Sequence, residues 1–71
     1  SQEVQDAAKF AIAQMQQGTL VKIVSAQSQV VAGMNYALQL VVAANDGTNH
    51  LYNVIVFVPL PNSGGTMQLT N

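Results

Sequence analysis

From residue 34 to residue 42 the chain alternates with period two. Met34, Tyr36, Leu38, Leu40 and Val42 fall on one side, and Asn35, Ala37 and Gln39 on the other. An extended strand sends successive side chains to opposite faces, so this run demands a strand with one face on a core and one toward water. Its flanks narrow the choice further. Asn45-Asp46-Gly47-Thr48 follows, and an Asp-Gly pair tolerates the positive φ angles of a tight hairpin. Asn49 to Val58 reads as the next strand, ended by Pro59 and Pro61, which cannot donate to a ladder. Asn62-Ser63-Gly64-Gly65 reads as a turn, and Thr66 to Thr70 as a short last strand. On the other flank, Leu20 to Gln27 is rich in β-branched residues and reads as a strand. Val21, Ile23 and Val24 fall on both of its faces, so its inward side stays open. Between it and Met34 lies Gln29-Val30-Val31-Ala32-Gly33, which reads as a tight hairpin tip with an apolar surface.

Residues 2 to 17 follow another period. Val4, Ala8, Ala11, Ile12 and Met15 recur at three- and four-residue steps, the stripe of an amphipathic helix, with Phe10 at its margin. Glu3 and Asp6 suit the positive end of its dipole, and Gly18 is the expected stop. A helix followed by four strands on short connections predicts an α+β domain: a single N-terminal helix packed on an antiparallel four-stranded sheet, residues 1–71 forming one domain. The helix supplies the second layer that a lone meander lacks.

Composition removes several function classes. Charged residues make up 7% of the chain: Lys9, Lys22, Glu3, Asp6 and Asp46, for a net charge of −1. No basic patch is available to neutralise phosphates, which argues against nucleic acid, and no polybasic segment to hold an anionic membrane. The longest apolar run, Val54 to Leu60, falls far short of the roughly 20 residues a membrane helix needs. No leader segment is read at the N-terminus. Without cysteine there is neither disulfide nor thiolate chemistry, and secreted and cytoplasmic settings both fit.

Catalytic constellations are also missing. His50 is a lone histidine with Asp46 as its one acidic neighbour in sequence, and Ser25, Ser28 and Ser63 lack a base with an orienting acid. Met15, Met34 and Met67 read as core filler. No phosphate loop, zinc spacing or dinucleotide fingerprint occurs, so neither enzyme activity nor a metal or cofactor is expected.

The pentapeptide Gln29 to Gly33 resembles the first binding loop of the cystatins, protein inhibitors of papain-like cysteine proteases. The likeness extends beyond it. Asp6-Ala7-Ala8-Lys9-Phe10-Ala11-Ile12 resembles the helix motif of plant cystatins. Val21 to Ala26 leads into the loop, and Tyr36 with Leu38-Gln39-Leu40 follows it, as in the family. Pro59-Leu60 stands where the family has Pro-Trp in a second binding loop. No cysteine is present, as in the stefin and plant branches. The likeness runs from about Asp6 to Leu69. It implies a curved sheet around the helix and a wedge, built from loops 29–33 and 59–64, that seals a protease cleft reversibly without being cleaved.

By that resemblance the protease-binding residues are Gln29, Val30, Val31, Ala32, Gly33, Pro59 and Leu60. A tryptophan at Gly33 is expected to abolish docking without unfolding the domain. Two departures imply weaker binding. The family's N-terminal strand, which carries a glycine and contributes to binding, has no counterpart ahead of Ser1, so the first strand is expected to be missing. Leu60 also offers less rigid area than Trp and no N–H donor. The alternative is a non-inhibitory interaction or assembly module, or a trimmed scaffold, including a domain-swapped homodimer hinged at the loop valines.

Overall fold

The computed structural model describes residues 1–16 and 18–71. Helix α1 spans Gln2–Met15. Ser1 caps it, its hydroxyl accepting from the Val4 N–H at 3.3 Å, and Glu3 sits in the first turn where the dipole favours an acid. The helix ends before the expected glycine. Gln16 adopts the left-handed conformation (φ 54°, ψ 37°) and donates its N–H to the Ile12 carbonyl at 3.0 Å. Gln17, read from sequence as helical, lies outside the described residues. Gly18 serves a different purpose, close approach. At its φ of +137° a Cβ would lie 2.1 Å from the Ala43 carbonyl oxygen, so only glycine lets the chain pass the end of the sheet there.

Four strands follow: β1 (Thr19–Val31), β2 (Gly33–Ala43), β3 (Asn49–Pro59) and β4 (Gln68–Leu69). They pair antiparallel in sequence order, with β1 on one edge and β4 on the other. The fold is thus one helix on a four-stranded antiparallel open sheet, the α+β architecture expected from the patterning. The last strand is shorter than expected. Backbone hydrogen bonds nevertheless carry its pairing onward, from Thr70 N–H to the Ile55 carbonyl (2.9 Å) and from Ile55 N–H to the Asn71 carbonyl (3.1 Å).

Register explains why β1 looked irregular in sequence. Leu20 pairs with Val42, Ile23 with Leu40 and Ala26 with Leu38, with shifts between Leu20 and Lys22 and between Ile23 and Ser25. Each shift is a bulge that inserts one residue, Val21 and then Val24. The inward side therefore advances by three along β1 while β2 advances by two. Leu20 and Ile23 turn to the core; Val21 and Val24 are left about half exposed.

The core is the predicted face of β2 together with its partners. Tyr36, Leu38, Leu40 and Val42 are buried beside Val54 and Val56 of β3. The helix contributes Ala7, Ala8 and Ala11, whose small side chains let it sit close on the sheet. Leu38, Leu40, Val42 and Val56 are the largest fully buried side chains, each contributing about 1.5–3 kcal/mol of transfer free energy. No described helix is long and apolar enough to cross a membrane.

The helix occupies only part of the long axis. Fourteen residues rise about 21 Å, whereas the molecule measures 40 × 20 × 20 Å. The Tyr36 hydroxyl donates to the Glu3 carboxylate at the start of the helix, and Gly18 abuts Ala43 just past its end. The β1–β2 hairpin continues beyond the Tyr36 level, past the helix.

Candidate functional site

Strands β1 and β2 approach so closely at their turn that Val31 pairs with Gly33, leaving Ala32 alone as the bend. The tip is thus tighter than the pentapeptide suggested, because Gln29, Val30 and Val31 already belong to β1. Gly33 in turn pairs with Pro59, the last residue of β3. The segments 29–33 and 59–64 therefore leave the sheet at the same end. The second is folded by its own hydrogen bonds: Ser63 donates its N–H (3.1 Å) and hydroxyl (2.8 Å) to the Leu60 carbonyl, and its oxygen accepts from Gly65 N–H at 3.2 Å.

Side chains at this end are apolar and open. Val30 is 79% exposed, Val31 42% and Leu60 53%. Gln29 and Ala32 are exposed and Pro59 is half-buried. None of residues 29–33 or 59–65 is charged. Gly33 alone is buried, with φ +128°. A Cβ there would meet the Val58 carbonyl oxygen at 2.5 Å and the Phe57 ring at 3.0 Å. The glycine is needed by the backbone, and a tryptophan in its place disrupts the strand ends as well as any docking. That corrects the expectation of a harmless substitution.

Sequence reasoning left out two neighbours of this end. Met34 and Val58 stand in register with Val30, one step beyond the Ser28–Tyr36–Val56 row, and both are only partly buried. The alternation that marked Met34 as core carried the signal. What it lacked was where the helix would begin.

Ionisable groups lie elsewhere. The hydrogen bond to Glu3 raises the Tyr36 pKa above its ordinary value, helped by burial and the carboxylate charge. Asp46 accepts from the Thr48 hydroxyl (2.6 Å) and N–H (3.0 Å), which lowers its pKa. The Thr48 oxygen also lies 2.7 Å from His50 Nε2. These three exposed groups tie the β2–β3 turn together. Among the described residues no three His, Cys, Asp or Glu side chains come together as a metal site would require.

The structure is thus a helix laid on an antiparallel sheet whose one end presents two uncharged apolar turns. The chain belongs to the cystatin family: the family model for the cystatin domain matches residues 1–61, which include both turns up to Pro61. A search of curated proteins and a search of solved structures returned no match. The family is one of cysteine protease inhibitors, with papain-like enzymes as its general partners.

Proposed function

We propose that this protein is a reversible inhibitor of papain-like cysteine proteases, and not itself an enzyme. It blocks the active-site cleft with Gln29, Val30, Val31, Ala32, Gly33, Pro59 and Leu60. The observation that carries this reading is the Gly33–Pro59 pairing, which sets both apolar turns side by side at one end of a rigid sheet. Val30, Val31 and Leu60 supply area to bury, and β-branched side chains lose little rotamer freedom on docking. Because both turns are preformed, little rearrangement opposes binding. With no charge in either turn, association is weakly steered and depends little on salt.

The test is a titration of papain and a related cathepsin with the native chain, Val31→Asp and Leu60→Asp. Both positions are exposed, so circular dichroism should show intact folds. Competitive inhibition is expected from the native chain. Each variant should weaken it by about tenfold or more, the loss typical of a buried anchor. If the native chain leaves both enzymes active at high concentration, or if both variants inhibit as well as it does, the reading fails.

A second reading is favoured by one observation: a single residue, Ala32, separates two long strands. Straightening it would let β1 cross into another molecule, giving a non-inhibitory domain-swapped dimer.

A further inference from the structure

The two turns at the apolar end are held in different ways. The first is closed by the ladder itself, down to the Val31–Gly33 pair. The second hangs from β3 alone. Pro59 is the last residue of β3, and β4 pairs with β3 toward the turn only as far as Phe57–Gln68. Leu60 is exposed, and among the described residues it is not one of the hydrophobic side chains packed on the core. Something other than strand pairing or burial must therefore set its direction.

Leu60 stands between Pro59 and Pro61, neither of which has an N–H to donate. Each proline fixes its own φ, and Pro61 disfavours the helical region for Leu60. Donors beside Leu60 are therefore few, but its carbonyl can accept. Ser63 holds that carbonyl twice, through its N–H at 3.1 Å and its hydroxyl at 2.8 Å. The first bond closes a turn from Leu60 to Ser63 with proline at its second position, where a fixed φ is favoured. The same hydroxyl oxygen accepts from the Gly65 N–H at 3.2 Å. Gly65 lies against the Pro59 ring, so close that an added Cβ would stand 3.2 Å from Pro59 Cβ. The Ser63 side chain thus joins the outgoing limb of the turn to the returning one. The returning limb rests on Pro59, which is in register with Gly33.

We propose that Ser63 is a positioning residue for the second turn: its hydroxyl aims Leu60, and so supports docking without itself touching the protease. The docking role rests on the inhibitor reading above, whereas the clasp belongs to the free chain. Without the hydroxyl, the Ser63 N–H still reaches the Leu60 carbonyl, so the turn loosens and does not unfold. Leu60 then points elsewhere part of the time. Apparent affinity falls with the fraction of molecules whose turn keeps its docking form. Loss of the two hydrogen bonds made by one exposed hydroxyl corresponds to about three- to tenfold.

Ser63 is exposed and outside the core, so its replacement should not unfold the domain. The experiment has two arms. In the free protein, backbone nitrogen relaxation compares the native chain with Ser63→Ala and Ser63→Thr. Ser63→Ala should lower the order parameters of Leu60 and Gly65 from about 0.85 toward 0.6. Threonine keeps a hydroxyl and should hold them. In the second arm, papain is titrated with the same three proteins, with and without Leu60→Ala. Ser63→Ala should weaken inhibition about three- to tenfold, and Ser63→Thr should restore it. In the Leu60→Ala background the loss should vanish, because Ser63 acts through Leu60. Order parameters unmoved by Ser63→Ala would overturn the proposal. So would a loss of equal size in the Leu60→Ala background, since Ser63 would then touch the enzyme itself. A native chain that leaves papain active fails the inhibitor reading instead, and the free-chain order parameters then decide whether Ser63 aims Leu60.

Discussion

Gly33→Ala is the smallest change that separates a structural role for this residue from a contact role. Two costs add. The φ of +128° is one that L-residues rarely adopt, at about 1–3 kcal/mol. The new methyl would also lie 2.5 Å from the Val58 carbonyl oxygen, a backbone atom held in the β2–β3 ladder. Forcing strands apart to accept it costs about 1–3 kcal/mol more. The total, about 2–6 kcal/mol, is a large share of the roughly 4–11 kcal/mol expected of a domain this size. Gly64→Ala is the control: φ is also positive (+78°), but nothing lies within 4 Å of its added Cβ, so its cost is about 1 kcal/mol. Urea unfolding at one low protein concentration reads the difference. With a slope near 1 kcal/mol per molar, Gly33→Ala should move the midpoint by about 2 M or more, or leave no folded baseline. Gly64→Ala should move it by about 1 M. Equal shifts would refute the steric argument. Inhibition lost at Gly33 could then be read directly as a lost protease contact.

Leu40 is fully buried at the centre of the sheet, between Ile23 and Tyr52; Leu40→Ala should cost about 2–5 kcal/mol in chemical denaturation, and a loss under 1 kcal/mol would argue for a loose core. The Tyr36 pKa is raised on folding, so the stability it contributes is complete below the ordinary tyrosine value of 10.0 and drains away as pH rises through the folded value. Glu3→Gln should move that alkaline limb back toward the ordinary value, as followed by phenolate absorbance. Asp46 has the opposite sign: its pKa is lowered, so its contribution is present above 3.8 and is lost as pH falls through the folded value. Thr48→Val, which removes the hydroxyl donor, should flatten that acid limb, as read by the Asp46 carboxyl signal in a nuclear magnetic resonance titration.

Much of this fold could be read from residue type alone because its central strand is regular. Met34 to Leu40 alternates large apolar residues with small or polar ones, since β2 has neighbours on both sides and one face on the core, and the Asp46-Gly47 turn fixes where β3 begins. Edges were less legible. Two bulges reset the phase of β1 at Val21 and Val24, and a period-two reading cannot tell an inserted residue from an outward one. The helix stop was misplaced because glycine has two uses. Gln16 accepts the left-handed turn, and Gly18 is reserved for passing Ala43. Gly33 posed the same ambiguity at the tip, where burial against Phe57 and Val58 depends on the β2–β3 register and not on local sequence.

The apolar character of the tip follows from the lengths of the elements. On the helix-facing side the sheet carries successive rows, Ile23–Leu40–Tyr52, Ala26–Leu38–Val54, Ser28–Tyr36–Val56 and Val30–Met34–Val58. The helix starts at the Tyr36 level, where Glu3 holds the tyrosine hydroxyl, so the fourth row extends beyond its cover. Val30 is 79% exposed although it continues the face that buries Leu38 and Leu40. The tip is therefore a stretch of core face left without its second layer. A partner that supplies that layer gains burial the domain itself could not make, at roughly 25 cal/mol for each Å² of apolar surface covered. An α1 extended by one turn at its N-terminus would cover the same row. Such a variant should gain stability and lose its partner together. A gain in stability with binding unchanged would place the contact elsewhere.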